Sequence, residues 1–180
     1  MDEPQPPAPQ RSLTVDGNRL TLLAEGPERL EALLALIDGA ERSLRLLYYI
    51  YTDDGSGAMV RHALAGALDR GVSVALLIDG FGCKTPEDYF KPLIDKGMRF
   101  CRFHPTLGRR YLIRNHQKLA LADDARVIIG GFNIEDSYFG TVEDGAWRDL
   151  GLTVEGTAAA RLAPYYDALL DWATRSEGVV

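Results

Sequence analysis

A near-continuous apolar run at residues 72–78, Val-Ser-Val-Ala-Leu-Leu-Ile, limits most sharply what this chain can fold into. A stretch of that length, closed by Asp79-Gly80, reads as a central parallel strand covered on both faces. Helical spacing precedes it. Val60, Ala63, Leu64, Ala67 and Leu68 share one face of residues 55–70, and Gly71 supplies a C-terminal cap. Residues 28–40 repeat the pattern with Leu30, Leu33, Leu34 and Ile37. Strands are expected at 19–24, 43–51, 98–103 and 147–155, and a mostly helical segment at 157–173. Thr85 is placed as the N-cap of a helix with Pro86 in its first turn, and Pro92 is expected to end that helix early. Residues 106–114 and 134–146 read as loop or irregular chain. This alternation of strands and helices argues an α/β fold, a mixed β-sheet flanked by helices.

At 180 residues the chain is one domain of ordinary size. Four prolines mark its first twelve residues as a disordered tail, so the expected organisation is a tail at 1–16 and a single domain at 17–180, with no internal repeat. A net charge of −6 argues against a nucleic-acid partner for the chain as a whole, although Arg109, Arg110 and Arg114 can form a local basic patch. Two cysteines, Cys83 and Cys101, make neither a disulfide framework nor a zinc site; they read as reduced cytosolic thiols. No apolar run approaches the length of a membrane span, and the proline-rich, acidic start is unlike a signal peptide.

The chemistry concentrates between Asn115 and Asn133. Residues 116–122, His-Gln-Lys-Leu-Ala-Leu-Ala, suit a buried strand; Asp123-Asp124-Ala125 suits a turn; Arg126-Val127-Ile128-Ile129 runs back. Alternation puts His116 and Lys118 on one side, and the returning strand brings Gly130, Gly131 and Asn133 beside them. A nucleophile, a cation, an amide and a glycine-lined backbone then meet, which suits an anionic centre such as a phosphate. Asp123 stands seven residues beyond His116, roughly 23 Å along an extended strand and of opposite parity. It is therefore read as a structural turn residue. Asp79, at the end of a parallel strand, is a candidate for substrate contact, since ligand sites in α/β sheets lie there; Arg114 is another.

The pattern His116-x-Lys118-x4-Asp123-x6-Gly130-Gly131-x-Asn133 resembles the HKD motif of the phospholipase D superfamily. The commoner form has Gly-Ser where this chain has Gly130-Gly131. The Gly-Gly form, with Trp147-Arg148-Asp149 downstream, looks most like the N-terminal half of a bacterial cardiolipin synthase. Tyr48-Tyr49-Ile50-Tyr51, Asp53-Asp54-Gly55 and Asp79-Gly80-Phe81-Gly82 extend the likeness over most of 17–173. The resemblance implies a phospholipase D-like α/β/α sandwich and a phosphohistidine on His116. Lys118 and Asn133 would stabilise phosphate charge, and Asp149 would hydrogen-bond the imidazole and fix its tautomer; Glu143 and Asp144 are its rivals. Gly130 and Gly131 would allow close backbone approach to the substrate.

The expected activity is thus phosphatidyl transfer from phosphatidylglycerol, without metal or other cofactor, on a phospholipid substrate at the membrane periphery. The expected location is cytoplasmic, peripheral to the inner membrane. The family often carries N-terminal membrane spans; their absence here points to a short peripheral form or a trimmed chain. One histidine cannot both hold the phosphate and protonate the leaving oxygen, so a second HKD half or a homodimer is required. Two alternatives stand beside this reading: a single-motif phosphodiesterase or nuclease acting as a homodimer, and an inert lone domain. His62 reads as a surface residue, and His104 as a loop residue near the site entrance.

Overall fold

The computed structural model describes residues 12–103 and 115–177. Eight strands form one sheet: β1 Ser12–Val15, β2 Asn18–Leu23, β3 Ser43–Tyr48, β4 Ser73–Asp79, β5 Arg99–Phe103, β6 Leu119–Ala122, β7 Arg126–Gly130 and β8 Gly151–Glu155. Their order is β1-β2-β8-β7-β6-β3-β4-β5. Strands β3, β4 and β5 are parallel and the other pairings antiparallel, so the sheet is mixed as expected. The apolar run at 72–78 becomes β4, parallel to both of its neighbours.

Period-two alternation divides the core between two faces. On one, Leu44, Leu46, Tyr48, Leu76, Ile78, Ala120 and Ile128 pack with α1 Gly26–Asp38 and α2 Gly55–Asp69. On the other, Leu47, Leu77, Leu119, Leu121 and Val127 pack with α5 Thr157–Ala160 and α6 Ala163–Glu177. Helix α6 contacts β3 and β5, and the far side of this face stays open: Leu22 and Ile129 remain exposed. Asp54 caps α2 by accepting from Gly57 N at 2.8 Å and also accepts from Asp136 N at 2.9 Å. Asp136 opens the short α4 Asp136–Phe139 and accepts from Ser56 N in return.

Four local expectations change. The boundary at 16–17 falls inside a hairpin, because β1 pairs with β2 from Ser12↔Thr21 to Val15↔Asn18. Thr85 does not cap a helix; its hydroxyl donates to Tyr51 O at 2.5 Å, and Pro86 leads into a 3₁₀ turn Glu87–Tyr89. Pro92 does not end a helix but occupies the first turn of α3 Lys91–Asp95, where its missing N–H costs nothing. Residues 147–150 precede β8 rather than belong to it.

The hairpin β6–β7 turns at 123–125, where Asp123 and Asp124 both take positive φ (55° and 58°) and Ala125 N donates to Ala122 O at 3.0 Å. The Asp123 carboxylate accepts from the amides of Glu41, Arg42 and Ser43 at 3.0, 2.7 and 2.9 Å. Burial pushes this carboxyl up, but the three amides outweigh it and hold it below its ordinary value of 3.8. Asp123→Ala is expected to cost about 1–2 kcal/mol in urea unfolding at neutral pH. A depressed folded pKa contributes stability above the ordinary carboxylate value and loses it as pH falls through the lower folded value. The difference between wild type and variant should therefore close in acid. Asp123→Asn should leave any transfer activity close to wild type while Lys118→Ala abolishes it.

Candidate functional site

His116 and Lys118 lie in irregular chain just before β6, not within it. Their side chains still meet. Lys118 Nζ stands 3.5 Å from His116 Nδ1 and donates to His116 O at 2.5 Å. The two differ in exposure: His116 is open to solvent, while Lys118 is 9% exposed. Burial lowers the ammonium pKa from its ordinary 10.5, against the nearby Asp149 carboxylate, which raises it. A cation held partly out of water interacts more strongly with an anion than a surface lysine does.

Asp149 is near Lys118 but is not bound to His116. Its Oδ1 accepts from Leu150 N at 2.6 Å, and among the described residues no hydrogen bond joins it to the imidazole. The tautomer-fixing bond expected of Asp149 is therefore absent, because the carboxylate turns back on its own chain and over Gly131. A β-carbon on Gly131 would lie 2.4 Å from Asp149 Oδ1, so the carboxylate fills the space that the commoner serine would need. Gly130 is tighter against backbone: a β-carbon there would meet Leu150 O at 2.6 Å. Of the two rivals, Asp144 is engaged by the Thr141 hydroxyl at 2.6 Å within its own turn, and Glu143 is exposed.

Asn133 also has partners other than those expected. Its Oδ1 accepts from Ile50 N at 3.0 Å, its Nδ2 donates to the Tyr138 hydroxyl at 3.0 Å, and it is 3% exposed. It ties the end of β3 to the returning strand and keeps one N–H beyond these bonds. Asp79 is buried at the end of β4, its carboxylate accepting from Phe81 N and Gly82 N at 2.8 and 2.9 Å and, at 3.4 Å, from Asn115 N. It lines a cavity of about 440 Å³ with His116, Asn115, Leu77, Phe103 and Trp172. Arg114, Arg109, Arg110 and His104 lie outside the described residues.

Arg29 went unread in the sequence. It is 1% exposed, and its guanidinium donates to the carbonyls of Ala24, Tyr138, Trp147 and Asp149. It thereby anchors the 138–149 segment that delivers Asp149 to Lys118. Burial lowers its pKa, with Asp149, Glu25 and Glu28 opposing. Three of its four carbonyl partners, on Tyr138, Trp147 and Asp149, lie more than a hundred residues away, so no local pattern announces it.

An ammonium but not an amine attracts phosphate charge, so a phosphoryl transfer assisted by Lys118 should lose rate on an alkaline limb as Lys118 deprotonates. The limb is expected below pH 10.5, and Asp149→Asn, which removes the influence raising Lys118, should move it lower still. A pH–rate profile of both proteins checks this; an unmoved limb counts against the Asp149–Lys118 coupling.

The family profile described as "Cardiolipin synthase, PLD-like domain" matches residues 33–161. The major cardiolipin synthase ClsA of Bacillus subtilis (strain 168) is 32% identical over 163 residues, 87% of this chain and 33% of that protein. The chain thus spans about a third of the length of such relatives. Among solved structures, NucT from Helicobacter pylori superposes with a TM-score of 0.66 at 19% identity, over 86% of this chain and 96% of that one. Nuc from Salmonella typhimurium, a phospholipase D family member, gives 0.63 at 18%, over 87% and 95%. The architecture is therefore the phospholipase D-like α/β/α sandwich, and the chain belongs to the PLD-like domain family of cardiolipin synthases.

Proposed function

We propose that this chain is one HKD half of a cardiolipin-synthase-like phosphatidyltransferase. The observation that carries the reading is the pairing of an exposed imidazole with a buried ammonium 3.5 Å away, beside a largely apolar cavity. His116 attacks the phosphorus of phosphatidylglycerol, and the P–O bond to the head-group glycerol breaks. A second histidine gives that oxygen its proton. The hydroxyl of a second phosphatidylglycerol then loses its proton to the same histidine and attacks the phosphohistidine. This frees His116 and yields cardiolipin and glycerol. Lys118 holds the non-bridging oxygens throughout, with the remaining Asn133 N–H and water in support. No metal enters these steps.

The second histidine comes from a second half. The sheet face that α6 leaves open supports this: Leu22, Ile129, Leu150 and Leu152 line an apolar groove that Lys118 also lines, and a second half would cover it. The lipid substrate makes the protein peripheral to the cytoplasmic side of the inner membrane. Among the described residues no helix is long and apolar enough to cross a membrane.

A second reading, a homodimeric single-motif phosphodiesterase, is favoured by one observation: the chain spans 96% of NucT. Mass spectrometry of products from phosphatidylglycerol separates the two. Cardiolipin and free glycerol support transfer; phosphatidic acid alone supports hydrolysis; no product, from the chain alone or joined to a second half, contradicts both. Salt-sensitive DNA affinity would favour a nuclease.

A further inference from the structure

Tyr49 is the tyrosine of the 48–51 run that the core does not absorb. Tyr48 and Tyr51 are fully buried, while Tyr49 is half-buried at the end of β3. Its ring lies on the imidazole of His116, with centroids 3.9 Å apart and planes 30° from parallel. The Lys118 ammonium stands 5.6 Å from the same ring. Tyr49 can occupy this place only because residue 82 has no side chain: a β-carbon on Gly82 would lie 2.6 Å from Tyr49 Cζ and 2.6 Å from Tyr49 O. Gly82 is itself fixed, since its amide donates to the buried Asp79 carboxylate at 2.9 Å.

His116 needs such a support. Among the described residues, no carboxylate or carbonyl accepts a hydrogen bond from its ring, and its one other polar ring contact is Lys118. The terminal torsion of a histidine sits in a broad, shallow well, so an unbraced imidazole sweeps a wide arc. We propose that Tyr49 is the positioning residue for His116, seated on the Asp79–Gly82 turn, and that the stacked face holds the imidazole in the plane from which it meets phosphorus. Asp79 thereby acts on the site through Gly82 and Tyr49. The effect on catalysis rests on the function proposed above; the placement of the ring does not.

Carbon–proton NMR of the histidine rings, with His116 assigned by its loss in His116→Gln, tests the placement without substrate. Tyr49→Phe should keep the upfield ring-current shift of His116, while Tyr49→Leu and Gly82→Ala should lose it. Turnover of phosphatidylglycerol vesicles, with the second half present, tests the consequence. Tyr49→Leu should lower kcat about 10- to 100-fold with KM nearly unchanged, and Tyr49→Phe should stay near wild type, because displacements of about 1 Å carry such penalties. Unmoved His116 signals in folded Tyr49→Leu overturn the proposal. So does wild-type turnover by that variant, or a Phe variant as poor as the Leu one. If wild type transfers no phosphatidyl group, the proposed function falls, and the NMR result alone decides where Tyr49 acts.

Discussion

His116→Ala is expected to reduce phosphatidyl transfer by about 10⁴-fold or more while the protein stays folded. The imidazole supplies the nitrogen that bonds to phosphorus, and nothing beside it can substitute, because Lys118 is a buried ammonium without a free electron pair. The fold has little stake in the ring. It is solvent-exposed, and its contacts among the described residues are the Tyr49 stack and Lys118. Thermal and urea midpoints should therefore shift by less than about 1 kcal/mol. Wild-type turnover in the folded variant would end the assignment.

Arg29→Ala should have the opposite signature, a large loss of stability. Four main-chain carbonyls lose a charged donor at once, and the segment from Tyr138 to Asp149 loses its anchor on α1. Stranding buried polar groups in this way costs about 3–5 kcal/mol. Arg29→Lys should recover little of it, because one ammonium cannot span carbonyls that a planar fork reaches together. Urea midpoints at unchanged m-value measure the effect. A loss below about 1 kcal/mol would show that the segment is held by other contacts.

The contrast between His116 and Arg29 explains what could be read in advance. Patterns that repeat within a few residues were legible: the apolar run of β4, the helical stripes of α1 and α2, the Asp123–Asp124 turn and the His116–Lys118 adjacency all follow from local period and spacing. Properties set by distant partners were not. Strand β1 has only four residues, all exposed, and is defined by pairing with β2. Arg29 looks like any charged residue near a helix start until residues 138–149 fold over it. Asn133 was placed at the phosphate by the returning strand of the hairpin, and Asp149 at the imidazole by family likeness. The structure gives Asn133 bonds to Ile50 and Tyr138 that leave one N–H over, and turns Asp149 to Leu150 and the field of Lys118. Pro92 has the same composition signal whether it ends a helix or begins one; the 3₁₀ turn before it decides.

The most direct test is to trap the covalent intermediate. The chain, joined to a second half, is incubated with phosphatidylglycerol, quenched with base to preserve phosphohistidine, and mapped by peptide mass spectrometry. A phosphatidyl adduct is expected on the peptide containing His116, absent from His116→Ala. An adduct on another residue, or continued cardiolipin synthesis with none on His116, would contradict it.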